Sequence, residues 1–158
     1  AYEYYLDAVK RDGVPYELIT KALPTIEGEV NNILSQLVDF QMVFEMDGKN
    51  INNFIVYDDD NIWPLELSSG MERFISSLAI RVGLINVSNL PRSNFLAIDE
   101  GWGTMDSDNL NSVYSLFQYL KSQFQFTLIV SHIDSMRDAV DTLLEVKKEN
   151  GFSNIIFD

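Results

Sequence analysis

Three short clusters in this sequence carry side chains able to do chemistry: Asp99-Glu100, Ser68-Ser69-Gly70 and His132. Asp99 and Glu100 close the apolar run Phe95-Leu96-Ala97-Ile98. That places them at the tip of a buried strand, where ligands meet open α/β sheets. An Asp there can hold the water shell of a magnesium ion beside nucleotide phosphates. The adjacent Glu can orient and deprotonate an attacking water, a role worth roughly 10²–10⁴ in rate. A pair of surface carboxylates, or a cap for the following helix, has the same local sequence.

His132, the sole histidine, follows a second apolar stretch, Thr127 to Val130. If the two strands are parallel neighbours, His132 comes near Asp99 and Glu100. It can there donate to a terminal phosphate or to the attacking water, although position alone fits a packed or surface histidine better. Ser68-Ser69-Gly70 stands just before a long amphipathic segment. The first N–H groups of a helix lack internal partners and carry partial positive charge, so they attract anions. A Ser hydroxyl adds a donor, and Gly lets a phosphate approach the backbone. An ordinary serine N-cap has the same appearance. In Gly101-Trp102-Gly103-Thr104-Met105-Asp106 the glycines permit a tight turn, and Asp106 can accept bonds across an interface. A plain strand-to-helix loop explains it too.

The elements that must position these clusters follow from periodicity. Residues 1–37 read as helix broken twice, at Asp12-Gly13-Val14-Pro15 and again at Pro24. The chain opens in an apparent helix with no cap before Tyr2, which reads as a truncation. From Val38 the apolar residues alternate through Met46; Asp47-Gly48 signals a hairpin, and Ile51 to Tyr57 is the return strand. Asp58-Asp59-Asp60-Asn61 reads as a solvated turn, since it lacks the Gly and distant Glu of a calcium loop. Met71, Phe74, Leu78, Val82 and Ile85 form a helical stripe, predicting a helix over Met71 to Val87. A strand over Phe95 to Ile98 follows, then a helix marked by Leu110, Val113, Phe117 and Leu120. A strand over Thr127 to Val130 precedes a short helix from Ser135 to Val140. Two last strands, Leu143 to Val146 and Ser153 to Phe157, join around Gly151. Strands alternating with helices indicate an α/β fold with parallel central strands.

Composition narrows the classes. The 158 residues are 46% hydrophobic and 12% aromatic, which excludes a disordered tail and suits one domain with a core. No apolar run approaches the ~20 residues that span a bilayer, and no signal peptide opens the chain, so an intracellular protein is expected. There is no cysteine, hence neither disulfide nor Cys-based zinc site. A formal net charge of −13 repels polyanions on average, so any DNA must be held by a local basic patch, another lobe or a partner.

Taken together, Ser69-Gly70-Met71-Glu72-Arg73, Asp99 to Asp106 and Ser131-His132 resemble the C-terminal ATPase lobe of the SbcC-type DNA double-strand-break repair ATPases, relatives of the SMC proteins. The form found in T-even phage recombination endonucleases is the nearest in motif. The resemblance implies the C-terminal half of an ABC-type head. Its mostly parallel central sheet carries flanking helices, an N-terminal helical segment (1–37, at the base of a coiled coil) and a β-hairpin within the lobe proper (38–158). It also implies ATP and Mg2+ as cofactors. Ser69 and Gly70, with Ser68 beside them, would contact the γ-phosphate of ATP held by a second head. Asp99 would be the Walker B magnesium residue, Glu100 the general base and His132 the switch histidine. Gly103 to Asp106 would be the D-loop at the dimer interface. Met71 departs from the second Gly of the usual Ser-Gly-Gly-Glu.

A phosphate-binding loop needs Gly, four residues, then Gly-Lys and Ser or Thr. The only Gly-Lys, Gly48-Lys49, has Val43 five residues earlier and Asn50 after it. The expected function is therefore that of an incomplete ATP-hydrolysing lobe controlling a nuclease complex, inactive alone. The implied partners are the Walker A lobe of the same ATPase, a second head, a metallophosphoesterase nuclease and DNA. A chromosome-organising SMC head lobe and a non-catalytic interaction lobe are the alternatives. A transporter ATPase fits less well, because its loop usually opens with Pro after the Glu.

Overall fold

A computed structural model describes residues 2–10, 12–48, 50–101 and 110–157. The chain falls into two compact units, Ala1–Ser93 and Asn94–Asp158.

The first unit is built on two helices and a small sheet. α1 (Tyr2–Val9) is followed by α2 (Val14–Leu34), which has Pro15 in its first turn. The break expected at Pro24 does not occur: α2 runs through it. A proline removes one intrahelical donor, here the one for the carbonyl of Thr20. Both residues are exposed, so water can satisfy that carbonyl while the opposite face stays packed through Leu23, Val30, Ile33 and Leu34.

Against α2 lies α3 (Gly70–Val87). Its buried face is Ile75, Ser76, Leu78, Ala79, Val82 and Gly83. Met71, Phe74 and Ile85 of the expected stripe are only half-buried. The rotation has a steric cause. Ser76, Ala79 and Gly83 are small and recur at helical spacing, which lets α2 approach closely. A Cβ at Gly83 would sit 3.0 Å from Val30 Cγ2.

β1 (Gln41–Asp47) and β2 (Asn50–Asp58) form the expected hairpin, with Asp47 opposite Asn50. A third strand, β3 (Asn61–Pro64), completes an antiparallel sheet in the order β1-β2-β3. Its four residues and terminal proline hid it from pattern reading; Pro64 is tolerated because β3 is an edge. The Asp58–Asn61 turn is polar as expected. Asp58 Oδ1 accepts from the backbone N–H of Asp60 and of Asn61, both at 3.0 Å. The other edge, β1, is covered by α2 side chains. Asn31 Oδ1 accepts the Met42 N–H and Asn31 Nδ2 donates to the Met42 carbonyl, each at 2.8 Å. Glu27 Oε2 accepts the Phe44 N–H at 2.8 Å. Two polar side chains one helical turn apart thus satisfy backbone groups that would otherwise invite another strand.

In the second unit β4 (Phe95–Asp99) pairs in parallel with β5 (Phe126–Val130). α4 (Leu110–Gln123) connects them, as parallel strands require. Beyond β5 a 3-10 helix (Asp134–Ala139) stands where a short helix was expected. β6 (Leu144–Glu149) and β7 (Phe152–Phe157) form a final antiparallel hairpin. Among the described strands, β4 and β5 are the parallel pair, and they carry the chemistry-bearing tips.

Candidate functional site

The site elements lie on two separate scaffolds. On the first, Ser69 is the N-cap of α3, with an extended backbone at φ −63° and ψ 162°. Its Oγ accepts the Glu72 N–H at 3.3 Å, and Glu72 Oε2 accepts the Ser69 N–H at 2.6 Å. This reciprocal capping box satisfies two of the donors a helix start leaves open. The Arg73 N–H bonds to the Ser69 carbonyl at 3.0 Å, which begins the helical ladder. Among the described hydrogen bonds, the Gly70 and Met71 N–H groups have no protein acceptor, whereas the Ser69 side chain also bonds to the Glu72 carboxylate. These two N–H groups are the donors that this helix start can offer an anion.

Ser68 differs from its neighbour. It is buried, and its hydroxyl donates to the Leu65 carbonyl at 2.6 Å. Ser69, by contrast, is exposed. Glu72 is held from a second side by Tyr57, whose hydroxyl donates to Glu72 Oε1 at 2.7 Å. Partial burial alone would push the Glu72 carboxyl up, but the bonds from Ser69 and Tyr57 outweigh it and hold its pKa below the ordinary value. Burial and then the bond to Glu72 push the Tyr57 phenol the other way, to about 12. Tyr57 was not among the residues singled out in the sequence. The Ser69-x-x-Glu72 spacing was a legible capping signal, whereas the tyrosine arrives from another element and leaves no local trace.

On the second scaffold, the β4–β5 register sets Asp99 opposite Val130. One residue further, the Glu100 N–H donates to the Val130 carbonyl at 3.1 Å, which continues the ladder past the strand end. Glu100 has φ +58° and Gly101 φ +99°. A left-handed backbone is unfavourable for a side chain with a Cβ, by roughly 1–2 kcal/mol. The Val130 bond holds Glu100 in that conformation, and Gly101 lets the chain turn away beyond it. Strain of this sort clusters at functional positions.

His132 lies on the matching end of β5, and its Nδ1 is 3.9 Å from Glu100 Oε1. That exceeds hydrogen-bond length and leaves both side chains, 73% and 69% exposed, facing solvent together. Ser131 shapes the turn: its Oγ accepts the Ile133 N–H at 3.1 Å and contacts Met136 Sδ at 3.2 Å. The parallel pairing thus brings His132 to Glu100, with Asp99 the residue before. No described hydrogen bond or ion pair occupies the Asp99 carboxylate. Gly103 and Asp106 lie outside the described residues.

The donor set suits magnesium bound in company with phosphates. Among the described residues there is no group of three or more His, Cys, Asp or Glu that could hold a metal alone. Magnesium keeps much of its water and takes one or two carboxylates beside substrate phosphates, so a single unpaired Asp99 fits it.

The two faces of the β4–β5 pair also differ. Ile98 is buried and Leu96 and Ile129 are half-buried, while Phe95, Ala97, Phe126, Leu128 and Val130 on the other face are exposed. The Phe95 and Phe126 rings stack there, 5.4 Å apart and 12° from parallel. Parallel strands are ordinarily covered on both faces.

No protein-family model matches the chain. It is 36% identical over 171 residues to an uncharacterized protein of Acanthamoeba polyphaga mimivirus, covering 98% of this chain and 13% of that protein. It is 33% identical over 89 residues to the SbcC component of the nuclease SbcCD from Pseudomonas aeruginosa, covering 55% of this chain and 7% of the relative. The chain therefore spans a small part of the length of these relatives. Among solved structures it superposes on a chain from work on ATP-driven dimerization and DNA-stimulated activation of SMC ATPases. That match has a TM-score of 0.72 at 15% identity and covers 89% of this chain and 88% of the other. With the mixed α/β architecture and the partial sequence matches in agreement, the chain is an SbcC/SMC-like ATPase-head lobe of the C-terminal type.

Proposed function

We propose that this lobe completes an ATP-hydrolysing head that controls a DNA double-strand-break processing nuclease. The observation that carries the reading is the β4–β5 register, which sets Asp99, Glu100 and His132 at one end of a parallel pair. The partial identity to the SbcC component of a nuclease supports the repair branch.

In this reading Asp99 holds the hydration shell of Mg2+ beside ATP. Magnesium, when bound, compensates charge on the phosphates. Glu100 takes a proton from the attacking water, and His132 donates a hydrogen bond to the terminal phosphate or to that water. Ser69 and Gly70 bring the α3 start, with its open Gly70 and Met71 N–H groups, to the γ-phosphate of ATP held by a second head. Ser68, its hydroxyl turned inward, supports the turn. Gly103 and Asp106 serve as the D-loop between heads. The segment 1–37 leads to the coiled coil.

A lobe from the same ATPase supplies the phosphate-binding loop that this sequence lacks. The exposed apolar face of β4 and β5 is the surface it covers. The partners are then a second head, a metallophosphoesterase nuclease and DNA, in an intracellular setting. No described helix is long and apolar enough to cross a membrane.

The test is Glu100→Gln in the assembled head. Turnover should fall by about 10² or more while ATP-driven dimers persist. Unchanged hydrolysis removes Glu100 from the mechanism.

A further inference from the structure

His132 stands beyond the end of the sheet. The β4–β5 register stops at Val130, so ladder bonds cannot hold the residue that faces Glu100. Three other bonds take their place, and they close a ring. The Ser131 Oγ accepts the Ile133 N–H at 3.1 Å, which folds the chain tightly around His132. The Ile133 carbonyl accepts the Met136 N–H at 3.2 Å. The Ser131 hydroxyl then donates to Met136 Sδ at 3.2 Å.

Met136 is the anchored member of this ring. It is 6% exposed, on a 3-10 helix packed against α4, whereas Ser131 and His132 are exposed. A leucine fills a core position of this size as well as methionine does, but it has no acceptor. A thioether is a weak acceptor. Here it gives the Ser131 hydroxyl hydrogen a fixed direction, which turns an oxygen lone pair to the Ile133 N–H. Without it, that hydroxyl rotates among water partners and the turn loosens.

We infer that Met136 is a positioning residue for His132: its buried thioether fixes the Ser131 hydroxyl, and through it the turn that carries the imidazole to Glu100. The inference rests on the role of His132 proposed above. It goes beyond it by assigning a function to a core residue that lies in none of the motifs. Small misplacements of a reacting group are costly in rate, so the turn matters more to hydrolysis than to folding.

The experiment uses the assembled head with Met136→Leu, Ser131→Ala and His132→Ala, and with Met136→Leu combined with each of the other two. Turnover at saturating ATP, KM for ATP and melting temperature are measured for each. His132 is the sole histidine of the chain, so labelling this lobe before assembly gives one ring signal by nuclear magnetic resonance. Met136→Leu should lower turnover roughly two- to tenfold, the effect of one hydrogen bond, with KM and melting temperature unchanged. The His132 ring signal should shift or broaden. Ser131→Ala removes the same bond from the exposed side, without touching the core, and should lose at least as much turnover. Adding Met136→Leu to Ser131→Ala or to His132→Ala should cost nothing further, because the thioether acts through both residues. Full turnover in Met136→Leu or Ser131→Ala, or an unchanged ring signal in Met136→Leu, overturns the inference. Additive losses in either double variant overturn it too. In all these cases a slow His132→Ala leaves the histidine reading standing. Full turnover in His132→Ala overturns that reading, and this inference with it.

Discussion

The two chemistry-bearing regions are finished to different degrees. Around Ser69 the polar groups are mutually engaged: capping box, Tyr57 and the inward Ser68 leave over, among the described groups, the Gly70 and Met71 N–H. Around Glu100 almost nothing is engaged. The carboxylate and His132 face each other at 3.9 Å, Asp99 has no described partner, and the sheet face below them is apolar and exposed. On the proposed function, the contrast teaches where each site's remaining parts would come from. A pre-built cap needs only a ligand brought to it, as expected of a motif that acts on another head's ATP. Exposed strand tips above an exposed apolar face of the β4–β5 pair suit a neighbouring lobe, as expected of the proposed hydrolytic half of a split site.

The sharpest way to break this comparison is at the open end. Glu100→Gln in the assembled head carries the largest expected effect, about 10² or more on turnover. A loss of less than tenfold would make the strand tips no more catalytic than the cap. Next in size is Leu128→Lys, which sets a charge in the exposed apolar face. If the phosphate-loop lobe covers that face, assembly should weaken at least about tenfold, since burying an unpaired charge is costly. Titration of the two lobes by analytical ultracentrifugation reads this directly. Unaltered assembly would show that the face is covered by something else.

Smaller effects separate the two serines. Ser69→Ala should cost about 1 kcal/mol of stability through the lost cap and also raise the ATP needed for closure. Ser68→Ala should lose about 1 kcal/mol by removing the buried bond to Leu65 while leaving ATP dependence alone. Denaturant melts and ATP titrations on both variants check this, and an ATP defect in Ser68→Ala would reassign the motif serine.

The smallest expected effect is on the pH profile. Tyr57 is protonated more tightly in the folded chain, with its pKa raised from 10.0 to about 12. Its stabilising contribution is therefore complete below pH 10 and lost as the pH rises towards 12. Glu72, with its pKa lowered, contributes above its unfolded value and loses that contribution as the pH falls through the folded one. Tyr57→Phe should flatten the alkaline limb of stability relative to the parent chain. Parallel limbs in the two chains would mean that burial and the Glu72 bond do not raise the Tyr57 pKa on folding.

The order of helices and strands was legible because hydrophobic periodicity is local. The β1–β2 hairpin, α3, β4, β5 and the terminal hairpin all lie close to their expected positions. What was illegible depended on partners distant in sequence. α2 passes Pro24 because its other face is packed; α3 turns towards its small residues because α2 comes so near; β3 exists because β2 offers an edge. The site followed the same rule. Asp99, Glu100 and His132 could be named from strand ends, and their juxtaposition follows from parallel pairing. The cover of β1 by Asn31 and Glu27, the left-handed backbone of Glu100 and the hold of Tyr57 on Glu72 are tertiary facts with no signature in spacing.

The most direct test of the central claim is magnesium-dependent ATP hydrolysis by this chain alone and after mixing with the lobe that carries the phosphate-binding loop. The account predicts no turnover by either part, turnover in the mixture, and its loss with Glu100→Gln. A well-folded, assembled mixture without turnover, or turnover that survives Glu100→Gln, would contradict it.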